Sequence, residues 1–280
     1  MDHHGLRCGF AIPMLCAALL SVPGTQLAQA QAGKAWEILK AGLGDSNTER
    51  RAAATSVLGL MVNNADAQAL ARKGLSDEKP EVRAAAAGAL GDMRAKGAIP
   101  ELKNAIQDKD VSVVLAAAHA LYVLKDPSGY EVYYAILTGQ EKSGNSLIGE
   151  QKKTLSDPKK LEQLGVEGGL GLIPFAGLGL SALRAVTKDD ASPARAAAAK
   201  LLATDPDERS GEALAQAALD KSWIVRVAAL HAIAERGDVA LELRVEGGMD
   251  DQQYQVRYAA AAAVLHLNDL KKARGSKPGK

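Results

Sequence analysis

Ser76-Asp77-Glu78-Lys79-Pro80-Glu81-Val82-Arg83-Ala84-Ala85-Ala86-Ala87-Gly88-Ala89-Leu90-Gly91-Asp92 decides the fold. Apolar residues stand one position before Arg83 and two, three, six and seven positions after it, which marks one face of a helix. Asp77, six positions before the arginine, falls in the turn that leads into that helix. There it caps the helix or accepts charge-assisted bonds from Arg83.

The same pattern recurs along the chain. Its reference positions are Arg51, Arg83, Val114, Arg195, Arg226 and Arg257, with steps of 32 and 31 residues in the first half and 31 and 31 in the second. The aspartates six positions earlier are Asp45, Asp77, Asp108, Asp189, Asp220 and Asp251. Apolar pairs such as Ala89-Leu90, Ala120-Leu121, Leu201-Leu202 and Ala232-Ile233 continue each segment. A shorter amphipathic helix precedes most of them, as over residues 67–75, 99–106 and 212–219. Such periodic self-similarity is the signature of a stacked array, here of helix-turn-helix units. The reading is all-α: an α-solenoid of about six repeats with a central irregular insertion, preceded by a signal peptide.

Two stretches, SDEKPEVRAAAAGALGD (76–92) and LDKSWIVRVAALHAIAERGD (219–238), resemble HEAT repeats, particularly the short HEAT-like repeats of the phycobilin-lyase type. The resemblance spans roughly residues 34–126 and 189–268. It implies a ladder between neighbouring repeats built from Asp45 and Arg51, Asp77 and Arg83, Asp189 and Arg195, Asp220 and Arg226, and Asp251 and Arg257. Val114 interrupts that ladder in the third repeat. It also implies a protein-binding scaffold rather than an enzyme. Deoxyhypusine hydroxylase, a HEAT-like enzyme, binds iron through His-Glu pairs, and this sequence has no His-Glu dipeptide.

Between Leu124 and Asp189 the rhythm fails: position 114 to position 195 is 81 residues. A Tyr-rich helix (Tyr130, Tyr133, Tyr134), a Gly/Ser loop and a basic amphipathic stretch are followed by residues 168–183, which carry no charge. That run reads as a helix buried between the two halves of the solenoid, or as an element that meets a membrane or partner. Pro174 and its glycines argue against a full span. The organisation expected is a signal peptide over 1–30, repeats over 31–126, an insertion over 127–188, repeats over 189–268 and a basic flexible tail over 269–280.

The signal reading rests on Arg7, the uncharged stretch 8–22, and Ala28 and Ala30 at the positions a signal peptidase requires. Both cysteines, Cys8 and Cys16, would leave with it, so the exported chain would carry no thiol. Its compartment would be the periplasm or the extracellular space of a bacterium. With 34 Lys+Arg against 33 Asp+Glu the chain is not a general nucleic-acid binder. A 24% share of charged residues excludes a polytopic membrane protein, and 4% aromatics favours close-packed helices over a β-sandwich.

Nothing in the sequence spells a catalytic motif, a metal site or a cofactor site. His119 and His231 occupy the same repeat position and belong to separated repeats. The variable face of the second helices, at positions +1, +5 and +8 from each reference residue, is the expected partner surface. It carries Leu115, His119, Tyr122, Lys200, Val227, His231 and Tyr258. The function expected is an exported, non-catalytic scaffold that binds another protein through its concave face. Two alternatives stand beside it: a peripheral membrane scaffold using residues 168–183 and the basic tail, and a HEAT-like lyase or enzyme accessory factor.

Overall fold

A computed structural model describes residues 23–138 and 192–275. Among these there are twelve α-helices and no strand. The first half holds α1 (Pro23–Leu43), α2 (Thr48–Ser56), α3 (Ala65–Gly74), α4 (Pro80–Asp92), α5 (Ile99–Ala105), α6 (Val111–Val123) and α7 (Pro127–Thr138). The second holds α8 (Ser192–Leu202), α9 (Glu208–Ala217), α10 (Trp223–Arg236), α11 (Glu242–Glu246) and α12 (Tyr254–Gly275).

Local chemistry starts and stops these helices. The side chains of Asn47, Asn64, Asp110 and Asp207 accept bonds from backbone N–H groups in the first turns of α2, α3, α6 and α9. Pro80 opens α4, where an absent N–H costs nothing. After the second helices the chain reverses through a left-handed residue at a 31-residue interval: Asn63 (φ 65°), Arg94 (φ 53°) and Lys125 (φ 63°). Gly237 (φ 62°) does the same after α10, without the steric cost the other three bear.

Small residues let the helices stack closely. A Cβ on Gly91 of α4 would lie 2.9 Å from the Cα of Ala120 in α6, so no larger residue fits there. Ala89, Leu90, Ala120, Leu121, Ala232 and Ile233 are buried as their spacing predicts. Leu201 departs from the pattern at 77% exposed. It lies on α8, the last helix of the stack among the described residues.

The stacking order is not the chain order. α2 packs on α4, α4 on α6 and α6 on α7; in the second half α8 packs on α10 and α10 on α12. α12 then packs against α1, and more lightly against α2 and the 3-10 turn Val57–Leu60. The C-terminal repeat is therefore seated on the N-terminal one, and helices from opposite ends of the chain form the junction of the halves. Residues 168–183, expected at that junction, lie outside the described residues.

The ends also differ from expectation. Instead of a flexible tail from 269, α12 continues to Gly275, because Lys271 pairs with buried Glu242 (2.9 Å) and Arg274 bonds the Gly237 carbonyl (3.1 Å). At residues 127–138 the Tyr-rich helix expected at the start of the insertion is present as α7, and it continues the stack by packing on α6. α1 runs unbroken through Ala28 and Ala30, and its first buried residues are Ala35 and Leu39. No helix among the described residues is long and apolar enough to cross a membrane.

Candidate functional site: ladder and concave face

The recurring spacing of Asp and Arg along the chain produces a bond between repeats rather than within one. Arg83 donates from Nε and Nη2 to both carboxylate oxygens of Asp108, each at 2.7 Å, and from Nη1 to the carbonyl of Asp77 at 3.0 Å. Arg51 treats Asp77 and the Asp45 carbonyl in the same way, at 3.0, 3.0 and 2.8 Å. In the second half Arg195 meets Asp220, and Arg226 meets Asp251 through Nη2 at 2.9 Å and the carbonyl of Asp220 at 2.8 Å. Each carboxylate also accepts the backbone N–H two residues later, as Asp77 does from Lys79 and Asp220 from Ser222. The arginine thus closes its own turn and grips the next, with planar bidentate geometry that lysine would not supply.

These contacts set the ionisation of the turns. Bonds from Arg51 hold the Asp77 carboxyl below the ordinary range. For Asp108 and Asp220 burial pushes upward most strongly, and the bonds from Arg83 and Arg195, the backbone N–H groups of Asp110 and Ser222 and the nearby positive charges together outweigh it, so both are lowered. Val114 leaves α6 without a rung, and Asp189 lies outside the described residues. Arg257 bonds only the carbonyls of its own turn, Asp251 (2.7 Å) and Gln252 (3.0 Å), among the described residues.

The expected partner strip is not one surface. Val227 is 1% exposed and Tyr258 5% exposed, which removes both from it. On α10 and α12 position +1 is packed into the core, whereas the same position on α6, Leu115, is half-buried. Tyr258 packs against Gly42, where a Cβ would stand 2.6 Å from its ring. Leu115 and His119 are half-buried on α6, and Tyr122 is exposed beside Tyr133 and Lys125. Lys200 and His231 are half-buried on α8 and α10.

What the sequence reading missed is a charged meeting point one helical step further along. Asp92, the last residue of α4, is exposed to solvent and lies against Gly59 of the 3-10 turn Val57–Leu60. Burial, and next the charge of Glu235 from α10, push its carboxyl up to about 6, while Lys200 of α8 pulls it back. Gly59 makes room beside it: a Cβ there would lie 3.0 Å from the Cβ of Asp92. On α10, one turn before Glu235, burial pushes the His231 imidazole down to about 4. Asp92 and Glu235 both stand at position +9, which is i+4 from +5 and shares its face. Both were present in the two stretches quoted above. Among the described residues no group of three or more His, Asp or Glu is arranged to hold a metal.

The family model of HEAT repeats matches residues 36–128. No curated protein matches the sequence. Among solved structures, the complex of CpcE and CpcF of phycocyanin lyase from Nostoc sp. PCC7120 is similar at 23% identity and TM-score 0.34, over 82% of this chain and 94% of that one. Human deoxyhypusine hydroxylase, in complex with glycerol, is similar at 19% identity and TM-score 0.31, over 88% of this chain and 90% of that one. These likenesses correct one expectation. Both structures come from enzymes, so a HEAT-like solenoid gives no ground for the statement that this chain is not one. Residues 36–128 match HEAT repeats, and the described residues of both halves form an all-α solenoid of stacked helices.

Proposed function

We propose that the protein is an exported solenoid scaffold whose concave face binds another protein through a basic segment of that partner. The observation that carries this reading is the approach of Asp92, Glu235 and Lys200, from repeats in both halves of the chain, on one solvent-facing surface. Two carboxylates and one ammonium leave a net negative patch. A carboxyl lifted to about 6 is one whose charge is poorly solvated where it stands, and an incoming Lys or Arg relieves that penalty. Leu115, His119 and Tyr122 extend the available surface along α6. Export is supported by the position of the first buried residues of α1, Ala35 and Leu39, beyond Ala30.

Affinity capture from the cell envelope tests the reading. Wild-type protein is expected to retain a partner that Asp92→Lys with Glu235→Lys does not. Retention of the same partner by both would overturn it.

A second reading, a lyase-like or enzyme-accessory role, is favoured by the Asp92 carboxyl, which burial and then the charge of Glu235 lift to about 6 while Lys200 pulls it back. Mass spectrometry of the protein taken from its native envelope tests this one. A covalent adduct or co-purified small molecule lost in Asp92→Asn supports it, and its absence from wild type contradicts it.

A further inference from the structure

We infer that the junction of α12 with α1 and α2 is a protein–protein interface within one chain, across which residues 23–138 and 192–275 associate as two units without needing their covalent connection. The first support is topological. The unit that ends in α12 is seated on the unit that begins with α1, so the polypeptide linking α7 to α8 joins outer parts of the assembly rather than its touching faces.

A second support is the ladder. Within the first unit it runs from Arg51 to Asp77 and from Arg83 to Asp108; within the second it runs from Arg195 to Asp220 and from Arg226 to Asp251. It does not cross the junction. Arg257 ends on carbonyls of its own turn, and Asp45 is met by Arg50 at 3.4 Å. In a repeat array the coupling between neighbours sets where the array divides, and here the repeated coupling stops.

The junction itself has the anatomy of an interface, with an apolar centre and a polar rim. Tyr258, 5% exposed, fills the centre against Gly42. Around it Lys34 meets Asp250 at 2.7 Å, Asn64 donates to Asp269 at 2.7 Å, and the Arg50 guanidinium lies 5.6 Å over the ring of Tyr254. Each unit keeps buried side chains of its own, Leu90, Leu102 and Leu121 in one and Leu214, Leu230 and Ile233 in the other.

The test uses the full chain with a protease recognition sequence placed within residues 139–191. After cleavage, both fragments are expected to co-elute in gel filtration at the volume of the uncut protein. Gly42→Leu, which drives a side chain into the Tyr258 ring, is expected to separate them after cleavage while the uncut variant keeps its helical circular dichroism. Should uncut Gly42→Leu fail to fold, Lys34→Glu takes its place. It is expected to raise the dissociation constant of the cut protein on the order of threefold, with Asp250→Lys restoring it. Separation of the cut wild-type fragments overturns the inference. So does co-elution of cut Gly42→Leu, or a cut Lys34→Glu protein that dissociates as the wild type does.

Discussion

Inside each half, neighbouring repeats are tied by one arginine-to-aspartate bond that recurs at a separation of 25 or 26 residues. Between the halves, the ties are single pairs 216 and 205 residues apart, Lys34 with Asp250 and Asn64 with Asp269. The contrast separates two ways of holding a solenoid. A repeated bond follows from the repeat itself and is buried in the turns, whereas the junction is an apolar contact around Tyr258 with exposed charges at its edge.

Breaking the ladder should cost most. Arg83→Ala removes an arginine that is 7% exposed and takes from Asp108 its bidentate bond across the repeats, a loss of about 3 kcal/mol in urea unfolding. The loss should fade in acid. Asp108 has its folded pKa below the unfolded value, so its contribution is present above about pH 4 and disappears as the pH falls through the folded value. An unchanged urea midpoint for Arg83→Ala would leave the ladder without energetic meaning.

The junction should yield less per residue. Asn64→Ala removes both the bond to Asp269 and the cap of α3, about 1–2 kcal/mol. A deficit larger than that of Arg83→Ala would reverse the comparison.

The Asp92 carboxyl should behave in the opposite sense. Asp92 has its folded pKa raised to about 6, so its ionised form destabilises the fold above that pH and the penalty is relieved as the pH falls toward 4. Asp92→Asn is therefore expected to be more stable than wild type at pH 8 and equal to it at pH 4. Solvent at the exposed carboxylate limits the gain to about 1 kcal/mol or less. Thermal melts across that range check both sign and window, and a gain at pH 4 alone would contradict the assignment. Smallest of all is Lys34→Ala, whose partners are 42% and 71% exposed, at under ~0.5 kcal/mol in the same melts.

The repeat unit was legible in the sequence because its signal is local. The 31-residue step, the apolar positions around Arg83 and the Asp six residues earlier all act within one helix-turn-helix. The partner of Asp77 was visible as a residue type, and the register, with Arg51 reaching the next turn, needed the stack. Val227 and Tyr258 were misplaced on the surface because a single helix shows which residues vary, and only its neighbours show which side they cover. Asp92 and Glu235 escaped because the face was read at +1, +5 and +8 and stopped one residue short. The seating of α12 on α1 left no local mark, since Gly42 and Tyr258 follow no common period.

That seating is the central claim, and a cross-link reads it directly. With Cys8 and Cys16 removed, Lys34→Cys with Asp250→Cys places the only two thiols of the chain at a contact whose native partners stand 2.7 Å apart. A short bis-maleimide is expected to join them within one molecule, giving a monomer of altered gel mobility in near-complete yield. Thiols that stay unlinked, or that link only between molecules, would contradict the account.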